Sequence, residues 1–200
     1  MRIGILSLQG AVAPHQRSLA AVGVEGILVR TAAELDACDG LIVPGGESST
    51  MLNLIHHYGL WEPLDAFAAT RSVWGVCAGS ILMAKTVEHP RQESFGWIPV
   101  GIRRNAYGRQ NESFIVTETF TLPDGAAYAQ ECVFIRAPMV TMWDEAVTVL
   151  GSHGSHPIAL VHDRHLLTTF HPELSPQTAL HELFVSLCRG AASGKAAAQG

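Results

Sequence analysis

Trp74-Gly75-Val76-Cys77-Ala78-Gly79-Ser80 lies between a β-prone run, Ser72–Val76, and a helix-prone run that opens with Ile81-Leu82-Met83-Ala84-Lys85. A strand that ends at a cysteine, with a glycine two residues away on each side and a helix directly after, is the order of a nucleophile elbow with sulfur in place of oxygen. The small residues allow a sharp turn and a close approach of substrate to backbone. The helix that follows aims its free N–H groups at the sulfur, which favours thiolate. Taken alone, the same segment also fits a buried structural cysteine. It nevertheless sets the architecture, because a parallel sheet is built from strand-to-helix turns of this kind.

Working outward, the first half alternates strand and helix. Strands are predicted at Ile3–Leu8, Gly26–Val29, Gly40–Val43 and Ser72–Val76, and helices at His15–Val22, Thr50–Tyr58, Pro63–Ala69 and Ala78–Thr86. Near-continuous apolar strands such as Gly40-Leu41-Ile42-Val43 belong in a parallel sheet covered on both faces. The second half is richer in strands, predicted at Ser113–Thr121, Cys132–Ile135, Val147–Gly151, Pro157–Val161 and Leu166–Phe170, before a last helix at Gln177–Arg189. These strands suit antiparallel additions at the sheet edge. The expected class is α/β, a mostly parallel open sheet flanked by helices. Residues 1–190 make one domain, and 191–200 form a low-complexity tail expected to be disordered.

Two more segments bear on chemistry. Leu41-Ile42-Val43-Pro44-Gly45-Gly46-Glu47-Ser48-Ser49-Thr50 is a strand, a Gly-Gly turn and capping residues before a helix. Gly45 and Gly46 can present unobstructed N–H groups, as an oxyanion hole requires, and Ser48 or Ser49 can cap the helix. Thr168-Thr169-Phe170-His171-Pro172-Glu173-Leu174 follows an apolar strand. His171 and Glu173 are two apart, so in extended backbone they share a side. A cysteine nucleophile needs a base, and the base needs an acceptor that fixes its tautomer. Cys77, His171 and Glu173 supply all three parts. All these segments follow strands, where open α/β sheets carry their sites.

Composition excludes some alternatives. A net charge of −5 argues against non-specific nucleic-acid binding. No apolar stretch reaches the ~18–20 residues of a membrane span, and the short N-terminal apolar run lacks a signal-peptide cleavage site. The four cysteines, Cys38, Cys77, Cys132 and Cys188, lie far apart, which points to free thiols and a reducing cytoplasm. The close histidine pairs, His153/His156 and His162/His165, have no nearby cysteine and read as loop or strand-end residues, so no metal is expected.

The order Pro-Gly-Gly-Glu-Ser, Gly-x-Cys-x-Gly, His-Pro-Glu resembles the class I (triad) glutamine amidotransferases. Leu8-Gln9-Gly10-Ala11-Val12, Arg104-Asn105-Ala106-Tyr107-Gly108-Arg109-Gln110 and Phe134-Ile135-Arg136-Ala137-Pro138 are similar to signatures of the glutaminase subunits of pyridoxal 5′-phosphate synthases. Ser80 departs from the family's aliphatic residue, and Ala106-Tyr107 from its Ser-Phe, without touching the triad. The resemblance implies a flavodoxin-like three-layer fold, L-glutamine as substrate and no cofactor. It implies a Cys77 nucleophile, oxyanion donors at Gly46 and Ala78, and substrate contacts from Gly46, Glu47, Ser48, Arg104, Ile135 and Arg136. It also implies a separate synthase (lyase) subunit that receives the ammonia, docked near Gln9-Gly10-Ala11. Two readings stay open beside it: an amidase that feeds a different acceptor enzyme, and a reactive-cysteine relative without amidase activity.

Overall fold

In the computed structural model, seven strands form one sheet in the order β10-β11-β12-β4-β3-β1-β2. They are β1 (Arg2–Leu6), β2 (Glu25–Val29), β3 (Gly40–Val43), β4 (Ser72–Val76), β10 (Thr148–His153), β11 (His156–His162) and β12 (His165–Thr168). The structure describes residues 1–106 and 113–197, with side chains through Ala191. The five strands β2-β1-β3-β4-β12 are all parallel, and β10 and β11 add antiparallel at one edge. In chain order the parallel five read 2-1-3-4-5, the flavodoxin-like order, whose switch point lies between β1 and β3.

Strand alternation divides the core between the two faces. Leu41, Val43 and Val73 pack with helices α3 (Ser48–His57), α4 (Trp61–Ala68) and α5 (Ala78–Met83). Ile3, Ile5, Ile42, Trp74 and Val76 face the opposite layer, built from α1 (Val12–Ala21) and α6 (Ala179–Ala197). Each fully buried aliphatic side chain contributes roughly 1.5–3 kcal/mol. Two core layers therefore clamp the sheet and hold its strand ends in fixed relation.

The sequence misplaced some elements. The run after Cys77 is helical only to Met83, and Ala84–Glu88 is strand β5, not the end of a helix reaching Thr86. There the burial changes to Ala84 and Val87 in, Lys85 and Thr86 out, as it pairs with β6 (Ile98–Arg103). With β9 (Met139–Trp143), β6 and β5 make a small second sheet, and β7 (Ser113–Thr121) pairs with β8 (Ala127–Ile135) in a hairpin. Of the later strands described, β12 joins the main sheet in parallel and β10 and β11 extend it antiparallel. The short helix α2 (Ala32–Asp36) was also missed, although Thr31 and Glu34 close a full capping box around its first turn. The last helix runs through Ala197, past the expected end at Arg189, because its Ala-rich sequence has high helix propensity.

Candidate active site

Cys77 sits at the carboxyl end of β4, between the loops that leave β3 and β12. Its φ of 49° and ψ of −102° place a non-glycine residue in a strained turn. The surroundings enforce that turn. The Cys77 N–H donates to Thr168 O (2.8 Å), and Cys77 O accepts from the Ser80 hydroxyl (2.6 Å) and the Ser80 N–H (3.1 Å). The tightness of the elbow leaves no room for a Cβ at Gly79, which lies against Val43 O. The sulfur is thereby presented to a cavity and not to the core.

His171 meets it from the neighbouring strand end. His171 N–H donates to Val133 O (2.8 Å), which ties this loop to the β7/β8 hairpin. The sequence reading placed His171 and Glu173 in extended backbone. Instead Pro172–Leu174 forms a short 3-10 turn, with proline at its first position, and the turn brings the carboxylate back beneath the ring. His171 Nδ1 and Glu173 Oε1 are 2.8 Å apart. Burial works against a charged His171, but its hydrogen bonds to Cys77 and Glu173 prevail and lift its pKa to about 10. Burial likewise disfavours a charged Glu173, yet the His171 bond holds its carboxyl below the ordinary value. Both shifts favour a protonated imidazole, held between sulfur and carboxylate.

The other three cysteines are poor nucleophiles. Burial pushes Cys38 up to about 11 and both Cys132 and Cys188 up to about 12. All four thiols are free.

The cavity in front of the sulfur has a volume of about 310 Å³. Gly46, Glu47, Ser48, Cys77, Ala78, Arg104, Ile135, Arg136 and His171 all line it, and only Glu173 of the expected set stands behind, against the imidazole. Gln9 joins them across the switch point: its Oε1 accepts the Glu47 N–H (3.0 Å), and its amide covers Gly46. Gly10 makes that crossing possible, because its φ of 107° and its contact with Gly45 O leave no space for a side chain. Asn105 and Arg136, both at positive φ, complete a rim of strained backbone.

The helix α3 is capped differently from expectation. Glu47, not Ser48 or Ser49, is the N-cap, and it accepts the N–H groups of Ser49 (3.1 Å) and Thr50 (2.6 Å). Burial would raise its carboxyl, but these bonds and the Thr50 hydroxyl pull it down to about 2. Arg104 Nη2 reaches the same carboxylate (3.2 Å) and Ser49 Oγ (2.9 Å). Ser48 Oγ instead donates to Gln92 Oε1 (2.9 Å), a partner with no local sequence signal. Arg136 forms no ion pair among the described residues, which leaves its guanidinium available to an anionic group. Of the Arg104–Gln110 signature, residues 107–110 lie outside the described residues.

The paired histidines are engaged elsewhere. His153 bonds Glu118 (2.7 Å), while His156 and His162 reach the carbonyls of Val140 and Ala146. His165 accepts the Val73 N–H (3.2 Å). Among the described residues no three metal-ligating side chains converge, and no helix is long and apolar enough to cross a membrane.

Comparison with known proteins gives a consistent picture. The chain is 42% identical over 195 residues to the pyridoxal 5′-phosphate synthase subunit PdxT of Koribacter versatilis, covering 98% of this chain and all of that one. It is 45% identical over 190 residues to the PdxT of Exiguobacterium sibiricum, covering 94% and 96%. A crystal structure of a glutamine amidotransferase superposes with a TM-score of 0.86 at 35% identity, over 93% of this chain and 98% of the other. A GMP synthase subunit from Thermoplasma acidophilum, 15% identical with a TM-score of 0.71, shares the fold over 98% of this chain and 97% of that one. Residues 5–190 match the model of the SNO glutamine amidotransferase family. With the sheet order, the elbow and the full-length likeness in agreement, the chain belongs to the SNO glutamine amidotransferase family.

Proposed function

We propose that this chain is the glutaminase subunit of a pyridoxal 5′-phosphate synthase, releasing ammonia from L-glutamine for vitamin B6 synthesis. The observation that carries the reading is the chain Cys77–His171–Glu173 at the mouth of a cavity lined by every other expected site residue. The near-full-length relatives named as synthase subunits favour this acceptor over the enzymes of other amide-transfer reactions. The reactive-cysteine alternative leaves the His171–Glu173 pair without a task.

Each group takes a distinct part. His171 takes the Cys77 proton, Sγ attacks the side-chain carbonyl carbon of glutamine, and the carbonyl oxygen becomes an oxyanion. The N–H groups of Gly46 and Ala78 receive it. His171 gives its proton to the departing nitrogen, the C–N bond breaks, and a thioester remains. Water then attacks the thioester with His171 taking its proton, the C–S bond breaks, and glutamate leaves while that proton returns to the Cys77–His171 pair. Glu173 holds the Nδ1 proton of His171 in place throughout. Arg104 and Arg136 suit the α-carboxylate of glutamine and Glu47 its α-ammonium. Ammonia passes to a docked synthase subunit across the face that carries Gln9 and Gly10. Free thiols at all four cysteines suit a cytoplasmic enzyme.

The test is glutamate release with the synthase subunit present. Cys77→Ala lowers turnover by about 10⁴-fold or more with an unchanged melting temperature. A glutamine-analogue electrophile labels Cys77 and spares Cys38, Cys132 and Cys188. Substantial activity in Cys77→Ala overturns the reading.

A further inference from the structure

Behind Glu173 lies a cluster of polar side chains that the triad does not use. His15 from α1 and His181 from α6 are both fully buried. His15 Nδ1 and His181 Nε2 are 3.3 Å apart. On its other side, His15 Nε2 faces Glu173 Oε2 at 3.6 Å. Trp74 walls the pair, with its ring edge-on to both imidazoles at centroid distances of 5.8 and 4.8 Å. Three atoms here are buried with no hydrogen-bond partner: His15 Nε2, Glu173 Oε2 and His181 Nδ1. Two of them point at each other. Orphaned buried polar atoms are uncommon in native structures and each demands an explanation.

Proton counting settles the direction of the chain. A neutral imidazole has one donor and one acceptor nitrogen. If His15 Nδ1 carried the proton, the bare lone pair of Nε2 would face a carboxylate oxygen, two acceptors in a dry site. The opposite tautomer sets a donor opposite an acceptor at each step. His181 Nε2–H donates to His15 Nδ1, His15 Nε2–H is aimed at Glu173 Oε2 across 3.6 Å, and Glu173 Oε1 accepts Nδ1–H of His171. Only His181 Nδ1 is then left over, as a bare acceptor. The groups that face Glu173 are thus His171 from its own loop, His15 from α1 and, through His15, His181 from α6.

From this arrangement we infer that His15, itself oriented by His181, is a positioning residue that holds the second oxygen of Glu173 and so extends the triad to a directed relay of five side chains. The inference rests on the glutaminase reading of Cys77 and His171. At 3.6 Å the pair stands just outside hydrogen-bond distance, and the role requires it to shorten in the substrate complex, as catalytic hydrogen bonds commonly do. Burial suits the role, because it lowers His15 to about 4 and His181 to about 3. Both rings stay neutral at working pH. They orient the carboxylate without cancelling the negative charge that favours a protonated His171. The link also spans the fold. Through it the first helix, which directly follows the Gln9-Gly10 segment, touches the triad from below.

Two variants separate donor from volume. His15→Phe keeps the ring against Trp74 and removes the donor; His15→Gln restores an N–H near the position of Nε2. With the synthase subunit present, His15→Phe lowers kcat for glutamate release by about 10–100-fold, with KM within about twofold. The acid limb of its pH profile moves to higher pH, because Glu173 loses a donor that favours its ionised form. His15→Gln recovers most of the rate. In a Glu173→Gln background, His15→Phe has no further effect. Wild-type kcat and pH profile in His15→Phe, or an undiminished loss in that background, overturns the inference. ¹⁵N ring spectra of the unmodified chain decide it independently of activity. They show His15 neutral with its proton on Nε2 from pH 5 to 8; a proton on Nδ1 overturns it. A wild-type chain that releases no glutamate while the ring spectra hold removes the glutaminase reading and leaves the contact standing.

Discussion

Gly45→Ala strikes the base directly, because Gly45 packs against the His171 ring. Gly45 does not adopt a positive φ, so an alanine meets no backbone penalty there. Its Cβ, however, would be driven into His171 Cε1 and would lie 3.0 Å from Nδ1 and 3.3 Å from Nε2. Ordinary contact begins at 3.4 Å. The imidazole must therefore retreat by about 1 Å, and a misplacement of that size at a reacting group costs on the order of 10²-fold in rate. Retreat presses the ring toward Glu173, 5% exposed and packed beneath it, so overpacking adds about 1–3 kcal/mol of destabilisation. For a chain of this length that lowers the melting temperature by about 2–4 °C per kcal/mol and leaves the protein folded at 25 °C. Stopped assays of glutamate release with the synthase subunit present, paired with thermal melts, read both quantities. Gly190→Ala is the control, because a Cβ there meets nothing within 4 Å; it keeps full activity. A Gly45→Ala protein within threefold of wild-type kcat would refute the placement of His171 as the base.

Arg104→Ala raises KM for glutamine more than it lowers kcat, since the guanidinium lies on the cavity wall beside Glu47 and does not touch the sulfur; steady-state kinetics with unchanged KM removes it from the substrate pocket. Gln9→Ala removes one exposed-site hydrogen bond to Glu47 N–H, worth about 1 kcal/mol, so the fold persists while stimulation by the synthase falls. A titration of synthase that stimulates both proteins equally sinks the docking role of Gln9. Acid sensitivity follows from three buried neutral histidines, His15 and His165 lowered to about 4 and His181 to about 3. Below pH ~6.5 the unfolded chain takes up protons that the folded chain refuses, so urea midpoints fall steadily from pH 6.5 towards pH 4. His171 acts at the other end: raised to about 10, its stabilising contribution is complete below pH ~6.5 and is lost as pH rises through about 10. A urea midpoint that is flat between pH 6.5 and 4 contradicts the buried neutral state of these rings.

What was legible in the sequence was whatever a short segment encodes on its own. Strand, cysteine and helix follow one another at Ser72–Met83, and the Gly-Gly turn follows β3 directly, so the elbow and the parallel core could be read from local order. The second sheet could not. Its strand β6 contains Pro99 and Gly101, which break a β-prone run, and β5 borrows Ala84 and Lys85 from a helix-like pattern. Pairing across the sheet, not propensity, makes them strands. The cap of α3 was misassigned for a similar reason: serine caps by habit, but the Glu47 carboxylate also meets Arg104, 57 positions away.

The relay behind Glu173 is the extreme case of that limit. His15 and His181 are 166 positions apart and become neighbours only because α1 and α6 cover the same face of the sheet against Trp74. Neither sits in a motif that chemistry would single out, and each alone reads as a helix residue turned to the core. Topology gives them a shared purpose. The loop after β1 carries Gln9 into the cavity and α1 then carries His15 beneath the triad, so one segment of about seven residues touches the site from both sides. A partner that docks on Gln9 would thereby press on a helix whose His15 faces Glu173. If the synthase subunit docks on Gln9 as proposed, docking and catalysis are coupled through α1, and the Gln9 and His15 variants, measured singly and together, are expected to show energies that do not add.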